Sequence, residues 1–116
     1  MKVFVDLDHT LCIPNEDYGT SVDRYKYAAP VISVIKRVQW LYNSGHHITI
    51  YTARRMKTCK GDVEAVEREV GEITRDWLKK YGVPYDVLMF GKPYYDLLID
   101  DKTMTPEQFL KSNLVG

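Results

Sequence analysis

A chain of 116 residues fits one ordinary domain, and a hydrophobic fraction of 45% can supply its core. The 16 basic residues balance the 16 acidic ones, so no overall field draws the chain to DNA, RNA or an anionic membrane. Cys12 and Cys59 lack the CxxC spacing of a structural zinc site and read as reduced thiols. No secretory leader core precedes Asp6 and no apolar run approaches a membrane span, so a cytoplasmic protein is expected.

The first element is "KVFV" at 2–5, apolar and β-branched, which reads as a strand buried on both faces. Residues 11–28 carry Pro, Asn, Gly and Ser without a period and read as a loop or small flap. A helix is expected from Pro30, with Val31, Val34, Ile35, Val38, Leu41 and Tyr42 on its apolar face and Gly45 past its end. "HITIYT" at 47–52 reads as a second strand. Asp62 is placed to cap a second helix, whose stripe runs through Val63, Val66, Val70, Ile73, Trp77 and Tyr81. Residues 86–90 and 96–99 read as two further strands. Thr105, Pro106 and Gln108 match a capping box that opens a last short helix. The whole chain, 1–116, is then a single α/β domain. It has a three-layer, Rossmann-like form with a mostly parallel sheet flanked by helices.

In such a sheet, ligands bind outside the carboxyl ends of the strands. The expected strand ends carry Asp6 and Asp8, then Thr52 with Arg54 and Arg55, then Lys92, then Asp100 and Asp101. Asp6 and Asp8 are two residues apart in an extended chain and so face one pocket. Four carboxylates brought together need a cation, and oxygen ligation suits Mg²⁺. Thr52 and Lys92 suit a bound phosphate. The chemistry these groups support is phosphoryl transfer, with Asp6 as nucleophile and Asp8 as a more mobile acid and base. Arg54 is expected to face the site and bind substrate, and Arg55 to lie at the surface. Trp40 and Trp77 read as packing residues, and His46 and His47 as a polar turn at the other end of the sheet. Tyr18, Tyr25 and Tyr27 belong to the flap.

"DLDHT", "TAR", "GKP" and "IDD", in this order, resemble the four motifs of haloacid dehalogenase (HAD) superfamily phosphatases. "YTARRM" and "GKPYYDLLIDDK" are most similar to a subgroup of capsule biosynthesis phosphatases. The resemblance implies an aspartyl-phosphate intermediate on Asp6. It implies Mg²⁺ held by the Asp6 side chain, the Asp8 carbonyl and Asp100, with Asp101 assisting. It implies phosphate contacts from Thr52 and Lys92. His9 departs from the glycine of many members and reads as filling the turn. The short spacings leave no room for a cap domain, and a capless site is open to large substrates or covered by a neighbouring subunit, so a homo-oligomer is expected. The substrate is then a phosphorylated small molecule, sugar phosphates included, or a phosphorylated polymer end. Specificity is expected in 11–28 and in the loop from Arg54 to Asp62. The rival readings are a phosphoacceptor module of receiver type, a non-catalytic binding protein and a nucleic-acid end phosphatase. The order of motifs speaks against the receiver, since "DVLMF" ends without the aspartate such a module would phosphorylate.

Overall fold

The structure, a computed structural model, describes residues 1–114. In chain order the elements are β1 (Lys2–Val5), β2 (Cys12–Ile13), a 3-10 turn (Glu16–Tyr18), α1 (Asp23–Lys26), β3 (Ala29–Pro30) and α2 (Ile32–Asn43). They continue with β4 (His47–Thr52), α3 (Val63–Lys80), β5 (Val87–Phe90) and α4 (Pro106–Lys111). The main sheet has the order β1-β4-β5 and is parallel throughout, with Val5 opposite Ile50 and Thr52 opposite Phe90. It is an α/β fold, a parallel sheet flanked by helices, without a cap domain. No helix among the described residues is long and apolar enough to cross a membrane.

The strand order advances in one direction, from β1 to β4 to β5. Right-handed crossovers then carry α2 and α3 to the same side of the sheet. The core shows this. Val34, Ile35, Val38 and Leu41 of α2 join Trp77 and Leu78 of α3 against Val5, Ile48 and Ile50. Val66 and Val70 of α3 pack with Phe90. The described residues thus fill two of the three expected layers. Phe4, Val87 and Met89 alternate with the buried strand residues, and all three are exposed on the opposite face. Burying "KVFV" on both faces was therefore the wrong expectation: β1 is an edge strand with one covered face, and Phe4 is 59% exposed. The fully enclosed strand is β4, which has a neighbour on each side.

Local signals place the helices well. Asp62 Oδ1 accepts the Ala65 N–H at 3.2 Å, and Thr105 and Gln108 make both bonds of the capping box. The helix expected from Pro30 begins two residues later. Pro30 pairs with Cys12 in the small antiparallel β2–β3 ladder instead, closing the flap into a lobe. Residues 96–99 form no strand, and Ile99 is 89% exposed. Only residues 91–95 separate them from β5. A parallel neighbour needs a crossover of about a dozen residues or more.

Candidate active site

Three strand ends build the site. Past Val5 the chain keeps alternating, so Leu7 turns inward and is fully buried while Asp6 and Asp8 line a cleft of about 460 Å³. The Leu7 carbonyl then accepts N–H bonds from Thr10, Leu11 and Cys12 at 2.9–3.2 Å, closing a tight turn. His9 occupies the left-handed region of that turn, at φ 64°, where a glycine would be unstrained. This is the physical content of its turn-filling role, and His9 also lines the cleft.

Thr52 ends β4 and organises the loops around it. Its Oγ1 accepts the Arg54 N–H at 3.0 Å, and its carbonyl accepts the Lys92 N–H at 3.1 Å. The second bond ties the loop after β5 to the middle strand. Gly91 makes the required turn at φ 93°, where a Cβ would also press on Val63 Cγ2 at 3.0 Å. Lys92 Nζ thereby reaches 3.8 Å from Asp6 Oδ1.

Arg54 faces the site, but chiefly as the holder of Asp8. Only 4% exposed, it grips both carboxylate oxygens: Nη2 to Oδ1 at 2.6 Å and Nε to Oδ2 at 3.1 Å. Its Nη1 donates to Thr74 Oγ1 at 2.9 Å, and its Cζ lies 4.2 Å from the centre of the buried Tyr25 ring. The Cys12 thiol adds a contact to Asp8 Oδ1 at 3.4 Å. The mobile aspartate expected from the sequence is thus the firmly held one, and Asp6 is the more open carboxylate.

Burial raises the Asp6 carboxyl above its ordinary value, and Lys92 opposes that shift. Burial, and then the charge of Asp8, pushes the Cys12 thiol far up, so it stays protonated and serves as a donor rather than a nucleophile.

Arg55, expected at the surface, lines the cleft instead. Its backbone is left-handed at φ 63°, which turns the side chain back so that Nη1 donates to the Thr20 carbonyl at 3.0 Å and Nε approaches Glu69 Oε1 at 3.5 Å. Arg24 and Lys57 also line the cleft and were not singled out by sequence. Thr74 carried a usable signal: it sits four residues after Val70 on the buried stripe of α3, where a hydroxyl needs a partner.

The structure brings Asp6, Asp8, Thr52, Arg54 and Lys92 together. It does not bring Asp100 or Asp101 to them. Asp100 Oδ1 accepts the Lys102 N–H at 3.2 Å in a local turn. Hydrogen bonding with Asp101, and then with that N–H, holds its carboxyl below the ordinary value. No group of three or more His, Cys, Asp or Glu side chains stands ready for a metal among the described residues. What the cleft offers a hard cation is the open carboxylate of Asp6. The side-chain oxygens of Asp8 are both committed to Arg54.

A parallel sheet with helical crossovers and a polar cleft at its carboxyl edge defines an open α/β protein. The crystal structure of a Vibrio cholerae protein has this fold, with a TM-score of 0.85 and 36% identity over 98% of this chain and 91% of that one. The chain belongs to the same family as that Vibrio cholerae protein. No family model and no curated protein matches it.

Proposed function

We propose that the protein is a Mg²⁺-dependent phosphomonoester phosphatase of the haloacid dehalogenase type. The observation that carries this reading is an open carboxylate, Asp6, beside Lys92, with a second carboxylate held in place two residues on. Asp6 attacks phosphorus. A bond from its oxygen to phosphorus forms, and the bond from phosphorus to the leaving alcohol breaks. Asp8 gives the departing oxygen its proton. To do so Asp8 must first take up a proton on Oδ2, the oxygen with the longer contact to Arg54, and that oxygen must release Arg54 Nε. Water then attacks the same phosphorus, Asp8 takes the water's proton, and the bond to Asp6 breaks to release inorganic phosphate. Lys92 offsets charge on the phosphoryl oxygens, and the Thr52 region aligns them.

Magnesium keeps several waters and needs few protein carboxylates, so the cleft suits it. Asp6 and the Asp8 carbonyl would hold it. The resemblance adds Asp100 with Asp101 assisting, and both would have to approach from the exposed segment after β5. When bound, the ion supplies positive charge that draws the phosphate oxygens into line.

The reading suits a cytoplasmic enzyme, since both cysteines are free thiols. It also suits a homo-oligomer, because Phe4, Val87 and Met89 leave an apolar sheet face open to a second copy. Light scattering on the eluting protein should give a mass above the 13.5 kDa of one chain, and a clean monomer would remove the oligomer. The activity is tested by phosphate release from an aryl phosphate, with Mg²⁺ and with chelator. Turnover should require the metal, and Asp6→Asn should lower it by about 1,000-fold or more while remaining folded. Metal-independent turnover, or an active Asp6→Asn, would overturn the reading.

A further inference from the structure

The cleft holds more positive charge than its two aspartates need. Arg24, Arg54, Arg55, Lys57 and Lys92 line it against Asp6 and Asp8, on a chain with no net charge. The three guanidinium groups among them crowd a single ring. Arg54, Arg24 and Arg55 lie 4.2, 5.5 and 5.8 Å from the centre of Tyr25. Arg54 is matched by Asp8 and Arg55 faces Glu69, but Arg24 has no carboxylate partner among the described residues. Its Nε is buried without a hydrogen-bond acceptor. Lys57 Nζ lies 5.5 Å from the Tyr94 ring and likewise has no carboxylate partner among the described residues. Like charges held this close are costly unless an anion joins them. A guanidinium fork suits a carboxylate or a phosphate.

We propose that Arg24 and Lys57 bind a second anionic group on the substrate, a carboxylate or a phosphate carried by the leaving group. The inference rests on the phosphatase reading for the words "leaving group", and the site itself stands on the charge arrangement. Asp6 and Lys92 mark where the reacting phosphoryl group sits. Arg24, on the 11–28 lobe, and Lys57, in the loop before α3, touch neither Asp6 nor Asp8. Their charge in the cleft is therefore left for another anion. A singly anchored phosphomonoester would leave that charge unmatched, whereas a phosphorylated acid or a bisphosphate would match it.

Binding is measured by calorimetry with three non-hydrolysable phosphonates: a plain alkyl phosphonate, one bearing a carboxylate, and a bisphosphonate. Wild type should bind at least one doubly anionic compound about tenfold more tightly than the plain one. Arg24→Gln and Lys57→Gln should each shrink that ratio, and Arg24→Lys should restore part of it. The carboxylate and bisphosphonate arms say which anion is preferred. A ratio near one in wild type, or a ratio untouched by both substitutions, would overturn the proposal. Turnover is read separately on the aryl phosphate, on a phosphorylated hydroxy acid and on an alkyl bisphosphate. Turnover without binding preference ends this inference and leaves the phosphatase reading intact. A preference without turnover keeps the doubly anionic ligand and ends the phosphatase reading.

Discussion

Two pairs of aspartates in this chain meet opposite fates. Asp8 is gripped by Arg54, a residue 46 positions away in sequence, at the end of a neighbouring strand. Asp100 is satisfied by the N–H of Lys102, two positions on, in an exposed turn. The chemistry of the side chains is the same. What differs is whether strand register brings a distant partner to them. Parallel pairing of β1 with β4 delivers Arg54 to Asp8, and one backbone bond from Lys92 to Thr52 delivers Lys92 to Asp6. No ladder among the described residues reaches past β5, so the acidic pair at 100 and 101 keeps only local partners.

The sharpest way to break the first corner is Arg54→Ala. It leaves the half-buried Asp8 carboxylate unpaired and strips Thr74 of its donor, and should cost about 3 kcal/mol in urea unfolding. Phosphate release should fall with it, because Asp8 loses its orientation. Arg54→Lys keeps the charge but not the fork and should recover only part of either quantity. A fully stable Arg54→Ala would mean that the contact does not set the corner.

Asp6 gives a smaller effect with a definite sign. Its folded-state value lies above the ordinary 3.8, so ionising it costs the folded state more than the unfolded chain. That cost is absent below pH 3.8, where Asp6 is protonated in both states, and is complete above the raised folded value. Asp6→Asn should therefore melt at a higher temperature than wild type at neutral pH, and the gain should shrink as pH falls toward 3.8. An inactive variant that is also more stable is what a functional carboxylate in a costly position would show. A less stable Asp6→Asn at neutral pH would instead make Asp6 a structural residue.

The parts of this molecule that could be read from sequence are those governed by near neighbours. The caps at Asp62 and Thr105 depend on residues three positions away, and both formed. β4 was legible because its alternation is backed by real burial on both sides. The exposure of Phe4 was not legible, since it depends on how many strands flank β1 and on which face the helices take. Arg55 was misjudged because one left-handed backbone angle reverses the direction of its side chain. Tyr25 gave no signal of its own: only the fold shows three guanidinium groups around it. The convergence of Asp6, Asp8, Thr52 and Lys92 could be read because it needs only parallel strands, without any detail of packing.

The smallest effect on stability is expected at the second aspartate pair, and it sharpens the contrast most. Asp100→Asn with Asp101→Asn removes two exposed carboxylates, so the urea unfolding midpoint should stay where it is in wild type. A lower midpoint would mean that the segment packs into the fold. The same variant carries the metal question, because the two quantities respond to different things. If Asp100 reaches the cleft when Mg²⁺ and substrate are present, the Mg²⁺ concentration for half-maximal phosphate release should rise although stability does not. This is the expected result under the phosphatase reading. An unchanged half-point would take both residues out of the metal set and leave Asp6, the Asp8 carbonyl and solvent to hold the ion. The pair at 100 and 101 would then be what its hydrogen bonds show, a turn built from its own neighbours.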